Sequence, residues 1–250
     1  MRELAPFGLL VLDDRHHPPI TPLRASGKLL LGYLSIGEAE KTRPYFDALR
    51  RDGVLVEENP DWKGAWRLDM RDRKWRWRVV HQLVPSLQRM GFDGVFLDTA
   101  DVAAHLESRD PVRFAGMKKA AVELVREIRA RHPRIRIMLN RGFDLLPDLT
   151  GEIDFVLAES TRARYDFAAK VYRRAPDEEY ARSAALLREA VAKAPSLSVY
   201  TLDYWDPADS AGVAAIYREQ RANGFAPYVS TILLDRIVPE PGAGPQESVE

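Results

Sequence analysis

Gly91-Phe92-Asp93-Gly94-Val95-Phe96-Leu97-Asp98 is the stretch from which the fold can be read. Before it, Trp75, Val79, Leu83 and Leu87 recur every four residues, the spacing of one helix face. Gly91 stands where such a helix stops. Val95, Phe96 and Leu97 form an unbroken apolar run, as expected of a strand buried on both faces. The run ends abruptly in a carboxylate, Asp98. A second helical stripe follows, through Met117, Ala121, Leu124, Val125 and Ile128. Helix, stop, buried strand, acid, helix is the repeating pattern of a parallel α/β fold.

The same pattern extends in both directions. Strand-like runs fall at Gly8–Asp13, Lys28–Ile36, Val54–Glu57, Gly94–Asp98, Ile135–Asn140, Asp154–Glu159, Ser198–Asp203 and Ala226–Ile232. Further helical stripes run through Tyr180, Ala184, Leu187 and Val191, and through Val213, Ile216, Tyr217 and Gln220. Asp110-Pro111 and Asp206-Pro207 place an acid before a proline, the signature of a helix start. Eight such strands with their helices in 250 residues predict α/β architecture, a single (β/α)8 TIM-type barrel over residues 1–238. Residues 239–250, rich in Pro, Gly and Glu, read as a disordered tail.

Composition narrows the function. Lys+Arg and Asp+Glu both number 37, so the formal net charge is zero, which argues against nucleic acid as a partner. The absence of cysteine excludes disulfides, thiolate metal sites and a cysteine nucleophile. No apolar run approaches the roughly 20 residues of a membrane span. Leu9 to Leu12 is too short for the apolar core of a signal peptide, and Asp13-Asp14 follows at once. If complete, the chain is expected in the cytoplasm; if a leader was removed, outside it.

In a barrel of this type the site lies at the C-terminal ends of the strands. Those ends carry Asp13, Glu38, Glu57, Asp98 with Asp101, Asn140-Arg141, Glu159 and Asp203-Tyr204. So many carboxylates at one mouth are costly unless they bind cations, amines or sugar hydroxyls, or share protons. Each has a structural alternative. Asp98, Asp101 and Asp203 could cap turns, Asp13-Asp14 is turn chemistry, and Glu38 could be the exposed start of a helix. Glu159 fits capping less well, because Glu is a poor turn residue.

Aromatic residues accompany the acids. Tyr33 lies in the second strand, Trp62 and Trp66 in a loop after the third, and Tyr204 after the seventh. Their faces suit sugar rings and ammonium groups alike. No histidine pair has metal-ligand spacing, and there is no phosphate loop or nucleophile elbow. A carboxylate-only metal site on Asp98, Asp101 and Asp203 is the alternative chemistry, giving a metal-dependent hydrolase or lyase. A glycan-binding barrel without turnover is the non-enzymatic one. The leading reading is carboxylate catalysis of glycoside hydrolysis, with polysaccharide or oligosaccharide as substrate, no cofactor, and a monomer expected.

These residues also carry a resemblance. Gly32-Tyr33-Leu34-Ser35-Ile36-Gly37-Glu38-Ala39-Glu40, the stretch from Gly91 to Asp101, Leu139-Asn140-Arg141-Gly142-Phe143 and Leu157-Ala158-Glu159-Ser160 occur in the order of one family. Glu58-Asn59-Pro60-Asp61-Trp62 followed by Leu68-Asp69 also fits. The chain resembles glycoside hydrolase family 114, the endo-α-1,4-polygalactosaminidases and their relatives. The resemblance implies a (β/α)8 barrel, no obligate cofactor, a secreted setting, and an endo, retaining attack on α-1,4-linked galactosamine-rich polysaccharide. It implies Asp98 as nucleophile and Glu159 as general acid/base. Tyr33, Glu38, Trp62, Asp101, Asn140, Arg141, Asp203 and Tyr204 become substrate-binding candidates. Thr99 departs from the pattern, standing where Asn is frequent after the catalytic acid.

Overall fold

A computed structural model of the chain describes residues 2–242, which divide into two compact units: Leu9–Asp154, and the residues up to Gly8 together with those from Phe155 onward. The last eight residues of the expected tail lie outside the described range.

The Leu9–Asp154 unit is built on four parallel strands: β1 (Leu9–Leu12), β2 (Leu29–Ser35), β6 (Gly94–Asp98) and β7 (Arg136–Asn140), hydrogen-bonded in that order. Leu30, Leu31, Val95, Leu97, Ile137 and Leu139 on these strands are wholly removed from solvent. The register sets Ser35 beside Asp98, so two strand ends finish level. The connections include α1 (Ile20–Ala25), α2 (Phe46–Arg51), α3 (Arg73–Arg78), α4 (Val84–Met90), α5 (Val102–Arg109), α6 (Met117–Arg131) and a short α7 (Leu146–Leu149). A π-turn at Val79–Leu83 joins α3 to α4. Pro85 follows it, and a proline there both lacks an N–H and crowds the preceding carbonyls, favouring the wider turn. The apolar stripe survives the π-turn: Trp75, Val79 and Leu87 are all buried. Gly91 ends α4 at φ 101°, a left-handed cap in which a Cβ is strained.

One expected barrel strand belongs elsewhere. The run at Val54–Glu57 appears as β4 (Leu55–Glu58), and it joins no parallel strand. It pairs antiparallel with β5 (Ala65–Leu68), which also pairs with β3 (Glu38–Glu40). Leu55, Val56 and Glu57 are only half-buried, unlike Val95, Phe96 and Leu97 of β6. Glu57 faces Arg67 across the ladder at 2.7 Å, a pair that favours antiparallel register. Trp66, expected in a loop, is a strand residue of β5 packed edge-on against Phe46.

The other unit carries three parallel strands, β8 (Phe155–Glu159), β11 (Ser198–Tyr204) and β12 (Ala226–Ser230), with β11 between its neighbours. An antiparallel hairpin, β9 (Ala163–Asp166) and β10 (Val171–Arg174), follows β8. The helices α8 (Asp177–Lys193) and α9 (Ser210–Ala222) complete it. Val213, Ile216 and Tyr217 of α9 pack with Val229 of β12 and Ala163.

Seven parallel strands are therefore present among the described residues, where eight were expected. Both acid–proline pairs mark turns instead of helix starts. Asp110 ends α5 and accepts from the amides of Val112 and Arg113. Asp209, three residues beyond Asp206, caps α9 by accepting from Gly212 N. Among the described residues no helix is long and apolar enough to cross a membrane.

Candidate active site

The two acids singled out by sequence each end a parallel strand, Asp98 on β6 and Glu159 on β8. Both are half-buried, and each accepts a hydrogen bond from a tyrosine hydroxyl. Tyr33 donates to Asp98 Oδ2 at 2.5 Å. Tyr204 donates to Glu159 Oε1 at 2.7 Å. A tyrosine hydroxyl that holds a carboxylate oxygen fixes its rotamer while leaving its other lone pairs for chemistry.

Around Asp98 the arrangement is dense. The side-chain amide of Asn140, at the end of β7, donates to Asp98 Oδ1 at 2.9 Å. Burial, reinforced by the Asp98 charge, pushes the Tyr33 phenol far above its ordinary value, so it stays protonated and donates. The backbone behind Asp98 is tied to the loop after β2. Ile36 N donates to the Asp98 carbonyl at 3.0 Å, and Gly37 N donates to Thr99 Oγ1 at 2.9 Å. Ser35 Oγ and Thr99 Oγ1 lie 2.8 Å apart. Trp75, fully buried, anchors this loop by donating from Nε1 to the Ile36 carbonyl at 2.9 Å.

Backbone strain falls at the same places. Thr99, Arg141 and Ser160 have φ of 61°, 55° and 59°. They directly follow Asp98, Asn140 and Glu159, and among the described residues only Lys170 and Leu234 share this trait outside glycine. A left-handed threonine is costly because its β-branched side chain crowds the carbonyl. Strain of this kind persists where the surroundings over-determine it, and it concentrates at functional sites.

The remaining candidates divide. Asp101 and Arg141 form an exposed ion pair at 3.5 Å. Trp62 is 59% exposed, between β4 and β5. Glu38 is no exposed helix start: it is 8% exposed, accepts from Asn59 Nδ2 at 2.9 Å, and lies 3.8 Å from Arg67 Nε. Burial raises its pKa against the opposing pull of Asn59 and Arg67. Asp203 requires correction as a substrate or metal contact. It is fully buried and accepts from Arg162 N, Ala163 N and Gln220 Nε2, at 2.8, 2.8 and 2.6 Å. Desolvation raises its pKa despite those donors. Its oxygens are committed to pinning the chain after Glu159 to α9, which removes the third ligand from the alternative metal site. Among the described residues no three His, Asp or Glu side chains converge as a metal cluster.

The model of glycoside-hydrolase family GH114 matches residues 3–244. The chain belongs to glycoside-hydrolase family GH114. A Deinococcus radiodurans protein of uncharacterized function is 29% identical over 243 residues, covering 94% of this chain and 76% of that one. Among solved structures, the glycoside hydrolase domain of PelA from Pseudomonas aeruginosa superposes with a TM-score of 0.82 at 27% identity, covering 95% of this chain and 92% of that one. Ega3 of Aspergillus fumigatus, solved in complex with galactosamine, superposes at 0.69 with 17% identity, covering 93% and 87%, a likeness of fold. The GH114 assignment makes this chain a glycoside hydrolase by family. Ser35, Gly37 and Thr99, which tie the Asp98–Thr99 turn to the loop after β2, were not singled out by the sequence. Tyr33 and Ser35 are the polar members of an alternating pattern in an otherwise apolar strand, a signal the sequence held.

Proposed function

We propose that this GH114 chain hydrolyses internal α-1,4 linkages of a galactosamine-rich polysaccharide, with Asp98 and Glu159 as its two catalytic carboxylates. The observation that carries the proposal is the shared design of the two strand ends. Each acid is held by a tyrosine hydroxyl and followed by a strained non-glycine residue. The substrate class is supported by the galactosamine bound to Ega3, whose fold this chain shares.

In the proposed double displacement, Glu159 protonates the glycosidic oxygen while an Asp98 oxygen attacks the anomeric carbon. The leaving chain departs as an alcohol and a glycosyl ester remains on Asp98. Glu159, now ionised, takes a proton from water, which attacks the same carbon and frees Asp98. Tyr33 and Asn140 hold the Asp98 oxygens in the attacking rotamer, and Tyr204 does the same for Glu159. The exposed Trp62 and Asp101 supply a ring platform and a carboxylate for the sugar amine.

The test is digestion of partly deacetylated α-1,4-linked galactosamine oligosaccharides, with masses and the anomer of the first product followed together. Internal fragments with retained α configuration are expected. Release of the inverted anomer would overturn the nucleophile role of Asp98. Cleavage of other glycans but not this one would overturn the substrate class.

A further inference from the structure

The Leu9–Asp154 unit has an open groove of about 580 Å³ between the α3–π-turn segment and the end of α6. None of its lining residues holds Asp98. Trp77 lines it and is 55% exposed, unusual for a residue that is mostly buried on average. His81 stacks on Trp77 with ring centroids 5.4 Å apart and planes 29° from parallel. The π-turn that carries His81 is a rare local geometry, found disproportionately at functional sites.

Charge decides what the groove suits. Arg76 is neutralised by Glu123 at 2.8 Å and Glu127 at 2.5 Å. Arg73, one helical turn before Trp77, and Arg131, across the groove on α6, are exposed and have no ion pair among the described residues. A flat aromatic face favours the C–H face of a pyranose ring, and free guanidinium groups favour planar carboxylates. The volume lies within the range of small-ligand sites, roughly 300–1,000 Å³, and the open shape lets a polymer run through. A polymer of free galactosamine would be repelled by Arg73 and Arg131.

We propose that this groove is a second carbohydrate site, which binds acidic, uronate-bearing polysaccharide and tethers the enzyme to it. The sugar ring stacks on Trp77, and its carboxylate is met by Arg73 and Arg131. The site acts independently of the catalytic carboxylates.

The test is affinity electrophoresis of the full chain through native gels containing polygalacturonate, dextran or single-stranded DNA, at low and high salt. Polygalacturonate should retard the wild type, and high salt should weaken the retardation. Trp77→Ala and the double variant Arg73→Glu/Arg131→Glu should each raise the apparent Kd at least tenfold. Arg73→Lys/Arg131→Lys should keep part of the binding, and Asp98→Asn all of it. Circular dichroism checks that each variant is folded, which the exposure of these side chains favours. Equal retardation by dextran or DNA, unchanged retardation in Trp77→Ala, or no retardation at all would overturn the proposal. A concentration-dependent dimer lost in Trp77→Ala would overturn it too, by assigning the face to self-association.

Discussion

Gly37→Ala is the perturbation that most sharply tests how Asp98 is positioned. A Cβ on Gly37 would lie 2.1 Å from the carbonyl oxygen of Thr99, 2.9 Å from Met70 Cε and 3.0 Å from Val102 Cβ. The Met70 methyl can swing away, but the Thr99 carbonyl is main chain. Relieving that contact to roughly 3.5 Å needs a shift of more than about 1 Å. The loop after β2 cannot supply it easily, because Trp75 holds the Ile36 carbonyl from a fully buried position. The Asp98–Thr99 turn must therefore give, and it is already strained at Thr99. Overpacking of this kind costs about 1–3 kcal/mol, and a displacement near 1 Å at a reacting group costs roughly 100-fold in rate. In a chain of this length each kcal/mol lowers Tm by about 2–4 °C. The expected outcome is a folded variant, melting several degrees lower, whose kcat on the galactosamine oligosaccharides falls about 100-fold while KM changes little. Wild-type kcat in a variant with wild-type Tm would refute the reasoning.

Three further outcomes are expected. Tyr33→Phe removes the 2.5 Å hydrogen bond to Asp98; a bond to a charged group is worth about 1.5–3 kcal/mol, so kcat should fall about 10- to 100-fold with the fold intact by circular dichroism. Asp203→Ala leaves three N–H donors, two of them buried, without their acceptor, and thermal unfolding should show a loss of about 3–5 kcal/mol. Glu57 is held at a pKa of about 2, first by its hydrogen bonds from Arg109 and then by Arg67, against opposing burial. Its folded pKa lies below the unfolded value of about 4.3. The stabilisation is therefore present above that pH and is lost as pH falls through about 2. Arg109 is exposed, so screening keeps the effect near 1 kcal/mol. Glu57→Gln should be less stable than wild type at pH 7, with the gap closing below pH 4 in acid titrations followed by fluorescence.

Parallel strands were legible because they are written as unbroken apolar runs, buried on both faces in Val95-Phe96-Leu97 and on one face in Phe155-Val156-Leu157-Ala158. The strand ends were legible for the same reason, since the first polar residue after such a run marks where the strand stops. Leu55–Glu58 was misread because its apolar residues resemble a short buried strand, while its partner, Ala65–Leu68, is too short to announce itself. Asp203 was misread because a strand-end acid looks the same in sequence whether it faces solvent or, fully buried, accepts three N–H bonds. The Thr99 lattice was invisible because it depends on the register that sets Ser35 beside Asp98, and pairwise register is not written in either strand alone. The acid–proline pairs failed because Asx turns and helix N-termini share the same chemistry at their first residue.

The central claim is that Asp98 and Glu159 are the working pair. Cleavage of α-1,4-linked galactosamine oligosaccharides by wild type, Asp98→Asn and Glu159→Gln, read by mass spectrometry alongside oligosaccharide binding, tests it most directly. Both substitutions are nearly isosteric, so both variants should bind as the wild type does, and each should lose turnover by at least about 1,000-fold, as removal of a catalytic group implies. Turnover close to wild type in either variant would contradict the account.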